Sequence, residues 1–148
     1  MNPEQDSETL MNAILPVAER MLTQHGEFYP FGGYMKLDGA IVHVGAADSD
    51  TDRPRSKDLI YVLRSSFQEM ARTSQCKAAA IVFDVAVTLP KSNRKSDAIQ
   101  VSVEHADGYS VDVFFPYQIV DKKIVYDQSF AQQGKHEIFE RIEPKDTT

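Results

Sequence analysis

A single cysteine, an excess of acid over base and the absence of a long apolar run exclude several classes of protein. Because Cys76 stands alone, the chain has no internal disulfide framework and no multi-cysteine zinc site, as is usual in a reducing compartment. The 16 basic residues are outnumbered by 22 acidic ones, and the net charge of −6 argues against binding to phosphate backbones. No apolar stretch approaches the roughly 20 residues that cross a bilayer. We therefore expect neither nucleic acid nor a membrane as a partner.

The length and the first residues indicate the size and the location of the protein. A chain of 148 residues fits a single domain with one core, so we expect residues 1–148 to form one unit. The opening residues, MNPEQDSETL, are acidic and polar, where a signal peptide is basic and then apolar. We therefore expect a cytoplasmic protein.

Two segments carry the apolar spacing of amphipathic helices. The first covers residues 7–24, with Ser7 as the expected N-cap and Gly26 as the C-terminal stop. Pro16 lies inside this segment and predicts a kink or two shorter pieces, because proline removes a backbone donor and clashes with the preceding turn. The second helix is predicted to begin at Ser56, its expected cap, and to end near residue 75.

The chain between the helices reads as a hairpin around Asp38-Gly39. This dipeptide is a strong signal for a two-residue type I′ turn, in which both central residues have positive φ. A two-residue loop would place Tyr34 opposite His43 and Gly33 opposite Val44. The sequence thus predicts an aromatic ring beside an imidazole on one face of the sheet.

After the second helix the period changes to two, which indicates strands. The segments AAAIVFDVAVTL and AIQVSVEHADGYSVDVFF alternate apolar and polar residues. A three-residue loop at 106–108 with Gly108 left-handed keeps apolar residues opposite one another, whereas a two-residue loop does not. The predicted partners are Val103 and Val111, Val101 and Val113, and Ser102 and Asp112; a further hairpin around Asp121-Lys122 pairs Ile119 with Ile124 and Tyr117 with Tyr126. The tail segment HEIFERI fits either a helix or a strand.

The element order predicts an α+β fold. It runs helix, hairpin, helix and then a meander of three or four antiparallel strands, which gives one sheet with helices packed on it. Because the strands alternate, we expect one sheet face to pack on the helices and the other to be polar or to contact another molecule.

No motif in the sequence supports catalysis, a metal or a cofactor. Nucleophile-elbow, phosphate-loop and dinucleotide-binding patterns are absent, and the four histidines lie in separate elements without a metal-binding spacing. The aspartates at 48, 50 and 52 have the spacing of a calcium loop, but Arg53 replaces the required glycine and Leu59 the closing glutamate. Cys76 lacks an oriented base and reads as a packed thiol.

Five polar or aromatic residues are candidates for a binding surface. Tyr34 and His43 are the predicted neighbours of the hairpin, and Asp84 and Glu104 lie on polar strand faces. In the stretch HGEFYPFGGY, the two phenylalanines are expected to fill the gap between the first helix and the sheet, which leaves Tyr29 with Tyr34 for the surface. The alternative is that these residues are ordinary components of an exposed face, where such types are common.

The segment GEFYPFGGYMKLDGAIVHVGA, preceded by an amphipathic helix and followed by AAAIVFDVAV and SDAIQVSVEH, resembles a family of small, uncharacterised bacterial proteins. Such proteins share a helix that ends in a Gly-Glu-Phe-Tyr-Pro-Phe-Gly type motif, and the resemblance covers most of the chain. The element order also resembles the roadblock and longin class of profilin-like sheets, whose members often dimerise and act as scaffolds. Fold-level likeness of this kind is a weak guide to function.

These observations lead to two expectations about function. The first is a non-enzymatic interaction module that presents a sheet face or edge to a protein partner or to a second copy. In one version an acidic surface covers a basic toxin, as in an immunity or antitoxin protein. The alternative is a small-molecule-binding protein or enzyme with a pocket between the Tyr29-Pro30-Phe31 motif and the sheet.

Overall fold

The computed structural model describes residues 2–45 and 55–139, and within these ranges seven strands form one antiparallel sheet with two helices packed on it. The predicted α+β class is therefore confirmed. Neither helix is long and apolar enough to span a membrane. The elements are α1 (Pro3–His25), β1 (Phe31–Met35), β2 (Ile41–Gly45), α2 (Ser56–Arg72), β3 (Ala78–Thr88), β4 (Lys95–His105), β5 (Ser110–Val120), β6 (Lys123–Tyr126) and β7 (Phe130–Gln133).

The strand order is β2-β1-β3-β4-β5-β6, and β7 pairs with the first half of β5 beside β6. Strands β3 to β6 are neighbours in chain order, which confirms the predicted meander. The hairpin β1-β2 joins it through β1, which lies against β3. The short strand β7 was not predicted, and the likeness to the roadblock and longin class stays a prediction.

The ends of α1 differ in how well the sequence predicts them. The helix begins after Asn2, whose side-chain oxygen accepts hydrogen bonds from the next turn, so the predicted cap at Ser7 is wrong. Ser7 is buried inside the helix and donates to the carbonyl of Pro3 at 2.7 Å. Gly26 ends the helix with φ of 75°, as predicted. The helix is continuous through Pro16, and it is not divided into two pieces.

Helix α2 follows Arg55, which makes no side-chain cap, so Ser56 is the first helical residue and not the predicted cap. The helix ends at Arg72, three residues before the predicted end. No peptide bond in the described ranges is cis, so the bond between Tyr29 and Pro30, left open by the sequence, is trans. Residues 136–139 of the tail segment belong to neither a helix nor a strand.

The first hairpin has a different register from the predicted one. Lys36 donates to the carbonyl of Ala40, and Gly39 adopts φ of 95°, which gives a three-residue loop instead of a two-residue one. Tyr34 therefore lies opposite Val42, and His43 lies opposite Gly33. The register is shifted by one residue, and a shift by one moves side chains to the other face.

The other two hairpins match the prediction. Gly108 has φ of 92°, and the pairs Val103 with Val111 and Ser102 with Asp112 occur as expected. At the next turn Asp121 and Lys122 both have positive φ, which is the type I′ conformation of a two-residue hairpin loop. Its strands pair as predicted, with Ile119 opposite Ile124 and Tyr117 opposite Tyr126.

The two helices pack on opposite faces of the sheet, so the expectation of one helix-covered face is wrong. The first core lies under α1 and includes Leu10, Ile14, Ala80, Val82, Ile99 and Val101. The second core lies under α2 and includes Leu63, Phe67, Ala79, Ile81, Ile138 and Phe139. Residues 78–82 are all buried, because alternate side chains of this part of β3 enter the two cores.

Candidate functional site

The three candidate residues around the first hairpin do not form one patch. Tyr29 lies in the loop before β1 and is 52% exposed. Tyr34 is half-buried on the α2 face, where its ring packs edge to face on Phe67 with 6.3 Å between centroids. His43 is exposed and lies on the α1 face, because its partner Gly33 lies against Ile14 of α1. The predicted contact between Tyr34 and His43 is therefore wrong, since the shifted register places them on opposite faces.

Asp84 forms a hydrogen bond within the sheet. It lies on the α1 face of β3 and accepts a hydrogen bond of 2.9 Å from the hydroxyl of Tyr117 on β5. Desolvation raises the pKa of Asp84, and desolvation together with this carboxylate also raises the pKa of Tyr117. The two side chains connect β3 and β5 across the intervening strand.

Glu104 is buried on the α2 face and binds the backbone of a distant segment. Its carboxylate accepts three hydrogen bonds from backbone N–H groups, at 2.9 Å from Glu137, 2.9 Å from Ile138 and 3.2 Å from Phe139. Charge-assisted bonds of this kind are the strong ones in proteins. Glu104 thereby holds residues 137–139 against the sheet, next to α2.

This arrangement encloses a pocket of about 250 Å³ on the α2 face, which we call the Asp112 pocket. Helix α2, strands β3 to β5 and the segment 135–138 surround it. The lining is mixed, with the apolar residues Ile60, Ile81, Phe83 and Ile138 beside the polar residues Arg64, Gln100, Ser102, Glu104, Asp112, Lys135 and Glu137.

Asp112 is the carboxylate in this pocket that has no partner among the described residues. Asp112 is only 8% exposed. Within residues 2–45 and 55–139 its side chain makes no hydrogen bond or ion pair. Its cross-strand neighbour Ser102 accepts a hydrogen bond of 3.1 Å from Gln100. The sequence contained a signal for this site, since it placed an aspartate inside an apolar strand and paired it with Ser102.

A second polar cluster joins α1 to the loop between β4 and β5. The Nε2 atom of the buried His105 lies 2.9 Å from Asp6, while Nδ1 accepts a hydrogen bond of 3.0 Å from the backbone N–H of Asp107. This pattern assigns the proton to Nε2, which donates to Asp6. Lys77 lies 3.3 Å from the same oxygen, and the hydrogen bonds from His105 and Lys77 lower the pKa of Asp6. Because both ring nitrogens of His105 are occupied, neither is available as a general base.

The remaining candidate chemistry is limited. Burial raises the pKa of the Cys76 thiol to about 11, so little thiolate exists at neutral pH. Within the described ranges no cluster of three or more His, Cys, Asp or Glu residues could hold a metal ion. The aspartates of the calcium-like loop at 48, 50 and 52 lie outside the described residues.

Two further pockets lie at the end of α2 and at the loop between β3 and β4, and both they and the Asp112 pocket are away from the Tyr29-Pro30-Phe31 motif. None of the three is lined by these residues, and both Pro30 and Phe31 are buried, so a pocket at the motif stays a prediction. Comparisons with known protein families, with curated proteins and with solved structures return no match.

Proposed function

We propose that the protein is a non-enzymatic interaction module that binds a protein partner, or a second copy of itself, through the outer edge of β2. The observation that supports this proposal is the composition of that edge. Strand β2 pairs with β1 on one side, and no other described strand pairs with it. Its five residues, Ile41–Gly45, include no lysine, arginine, carboxylate or proline.

Soluble proteins usually protect an open strand edge with charge, proline or a bulge. Strand β6, at the opposite end of the sheet, follows this rule because it begins with Lys123, directly after Lys122 in the turn. Strand β2 shows no such protection. An unprotected edge suits the addition of a strand from another chain, in which main-chain hydrogen bonds provide the affinity.

The register identifies the groups that would make these bonds. The hydrogen bond from Lys36 to Ala40 sets the alternation, so Val42 and Val44 exchange backbone hydrogen bonds with β1. Ile41, His43 and Gly45 then direct their N–H and C=O groups away from β1. These three alternate residues can pair with an incoming strand.

Substitutions at His43 test the proposal. His43→Pro removes an outward N–H while leaving the bonds between β1 and β2, and an edge strand tolerates proline at such a position. His43→Lys adds the charge that natural edges carry. Both variants should lose self-association in sedimentation velocity, or lose the partner that the wild-type protein retains. Val125→Lys places a lysine on β6 at a residue that is 52% exposed and serves as the matched control. If the wild-type protein is monomeric and both His43 variants retain the same partners, the edge is not the interface.

The charge of the protein favours a basic partner. A net charge of −6 attracts cationic surfaces, which raises the association rate and makes it depend on salt. An immunity or antitoxin-like role is one form of the proposal, because such a protein covers a basic toxin. The association rate should fall steeply between low and physiological ionic strength.

A further inference from the structure

In the Asp112 pocket one carboxylate makes no hydrogen bond or ion pair with the described residues. Glu104 is saturated by the three backbone N–H groups described above. The Nε atom of Arg64 lies 2.6 Å from the carboxylate of Glu137 and forms an ion pair with it, although the angle does not satisfy a hydrogen bond. Lys135 lines the pocket but is exposed, and it makes no ion pair within the described residues. Asp112 is therefore the carboxylate of the pocket that is left without a partner among the described residues, and its oxygens are accessible from the pocket.

Three acceptors line the pocket close together in the sheet. Asp112 contributes its carboxylate, and its cross-strand neighbour Ser102 contributes a hydroxyl oxygen. Because the side-chain NH₂ of Gln100 donates to Ser102, its amide oxygen is left as a third acceptor. An ammonium group has three donors and no acceptor, which matches this set. A hard metal ion is a poorer match, since it takes about six or more oxygen ligands and no cluster of carboxylates suited to a metal occurs among the described residues.

The apolar part of the lining and the volume define the rest of the ligand. Ile60, Ile81 and Phe83 form an apolar side next to the acceptors. A volume of about 250 Å³ corresponds to roughly eight water molecules at about 30 Å³ each, which accommodates a short alkyl chain.

We propose that the Asp112 pocket binds an alkylammonium group, with the ammonium on Asp112, Ser102 and Gln100 and the alkyl chain against Ile60 and Phe83. Two kinds of molecule carry an alkylammonium group: a free small amine, and a protein partner through a lysine side chain. The proposal does not depend on the β2 edge, which lies on the other side of β1 from β3.

Titration of ¹⁵N-labelled protein with n-butylammonium tests the site. The backbone amides of Ser102, Asp112 and Ile138 should shift in a saturable manner, while n-butanol and butyrate at equal concentration should leave them unchanged. Asp112→Asn should weaken binding roughly 10- to 100-fold, the usual range for a hydrogen bond to a charged group. Lys135→Gln should strengthen it, because a like charge near the pocket is removed. Asp121→Asn makes the same charge change in an exposed turn and should have no effect.

Thermal unfolding provides a second measurement on the same variants. Since Asp112 has no partner among the described residues, Asp112→Asn should leave the protein as stable as the wild type or more stable. If Asp112→Asn is folded and no longer binds n-butylammonium, the loss is due to the missing contact between Asp112 and the ammonium group. Absence of saturation with n-butylammonium at tens of millimolar, equal binding of n-butanol, or unchanged binding in Asp112→Asn would each overturn the proposal.

Lysine derivatives distinguish the two sources of the ammonium group. Free lysine and lysine blocked at both backbone termini carry the same side chain. Equal binding of the two supports the site and indicates a lysine of a protein partner, because the blocked form mimics a residue within a chain. Preference for free lysine or for a free amine supports the site and indicates a small molecule.

Discussion

The carboxylate of Glu104 determines whether residues 137–139 remain against the sheet. Ile138 and Phe139 are 5% and 8% exposed, and burying two such side chains contributes roughly 3–6 kcal/mol. Ordering the backbone of three residues costs roughly 3–6 kcal/mol, so these two contributions nearly cancel. The three hydrogen bonds to Glu104, each of roughly 1.5–3 kcal/mol, therefore dominate the docked state. The Arg64–Glu137 ion pair and the hydrogen bond from Gln68 to the carbonyl of Glu137 are more exposed and contribute less. We expect Glu104→Ala to release this segment while the rest of the sheet stays folded.

Amide hydrogen exchange measures this release directly. In Glu104→Ala the amides of residues 137–139 should exchange about 100-fold faster or more, as a loss of about 3 kcal/mol requires. Amides in the paired centre of β3 and β4 should keep their protection, because their partners are unchanged. Ser102→Ala, on the same face of β4, is the matched control and should leave the three amides protected. The reasoning is refuted if these amides stay protected in Glu104→Ala, or if the whole sheet loses protection together with them.

Two further substitutions test the packing of the sheet and its attachment to α1. Gly32→Ala would place a Cβ atom 2.5 Å from the carbonyl oxygen of Ala80, so urea denaturation should show a loss of about 3 kcal/mol in the free energy of unfolding. Gly45→Ala, whose Cβ would have no atom of the described residues within 4 Å, should change it little. Asp6→Asn should cost roughly 1–3 kcal/mol at neutral pH, since it removes the charged acceptor for His105. Because the pKa of Asp6 is lowered from 3.8, its contribution is complete above pH ~4 and is lost as the pH falls through the lower folded value. The difference in unfolding free energy between wild type and Asp6→Asn should thus shrink in acid, and a constant difference down to about pH 2 would contradict this assignment.

Two loops with the same Asp-Gly pair show how far turn chemistry predicts register. Both Asp38-Gly39 and Asp107-Gly108 form three-residue loops in which only the glycine of the pair has positive φ. At the second loop the flanking valines distinguish the registers, since only one of them puts apolar residues opposite each other. At the first loop the two-residue register also puts apolar residues opposite each other, with Met35 opposite Val42, so the pattern favoured a register that the protein does not adopt. The prediction of Tyr34 beside His43 failed for this reason.

The placement of the helices on two faces depends on strand order, which the sequence pattern does not contain. Alternation along a strand indicates that its side chains point to both faces of the sheet, but it does not indicate which element covers each face. The run AAAIV at residues 78–82 carried a signal, because a continuous small and apolar run is typical of a strand covered on both faces. The segment that covers the Asp112 pocket was unpredictable for a related reason. The backbone of residues 137–139 meets Glu104 across more than 30 intervening residues, without a pattern that joins them.

The consecutive glycines of β1 connect the aromatic motif before them to both layers of the fold. Gly32 faces α2, where an added Cβ would lie 3.0 Å from the ring of Phe67, and Gly33 faces α1, where it would lie 2.9 Å from Ile14. Because neighbouring residues of a strand point to opposite faces, one glycine alone would allow close approach on one side only. Two in succession allow both helices to approach the same short strand. The stretch from His25 to Tyr34 therefore ends α1 at Gly26, fills the space beside it with Phe28 and Phe31, and lets both helices pack on β1. Of its aromatic rings, Tyr29 is the exposed one, and a contact of this motif with another molecule would have to involve it.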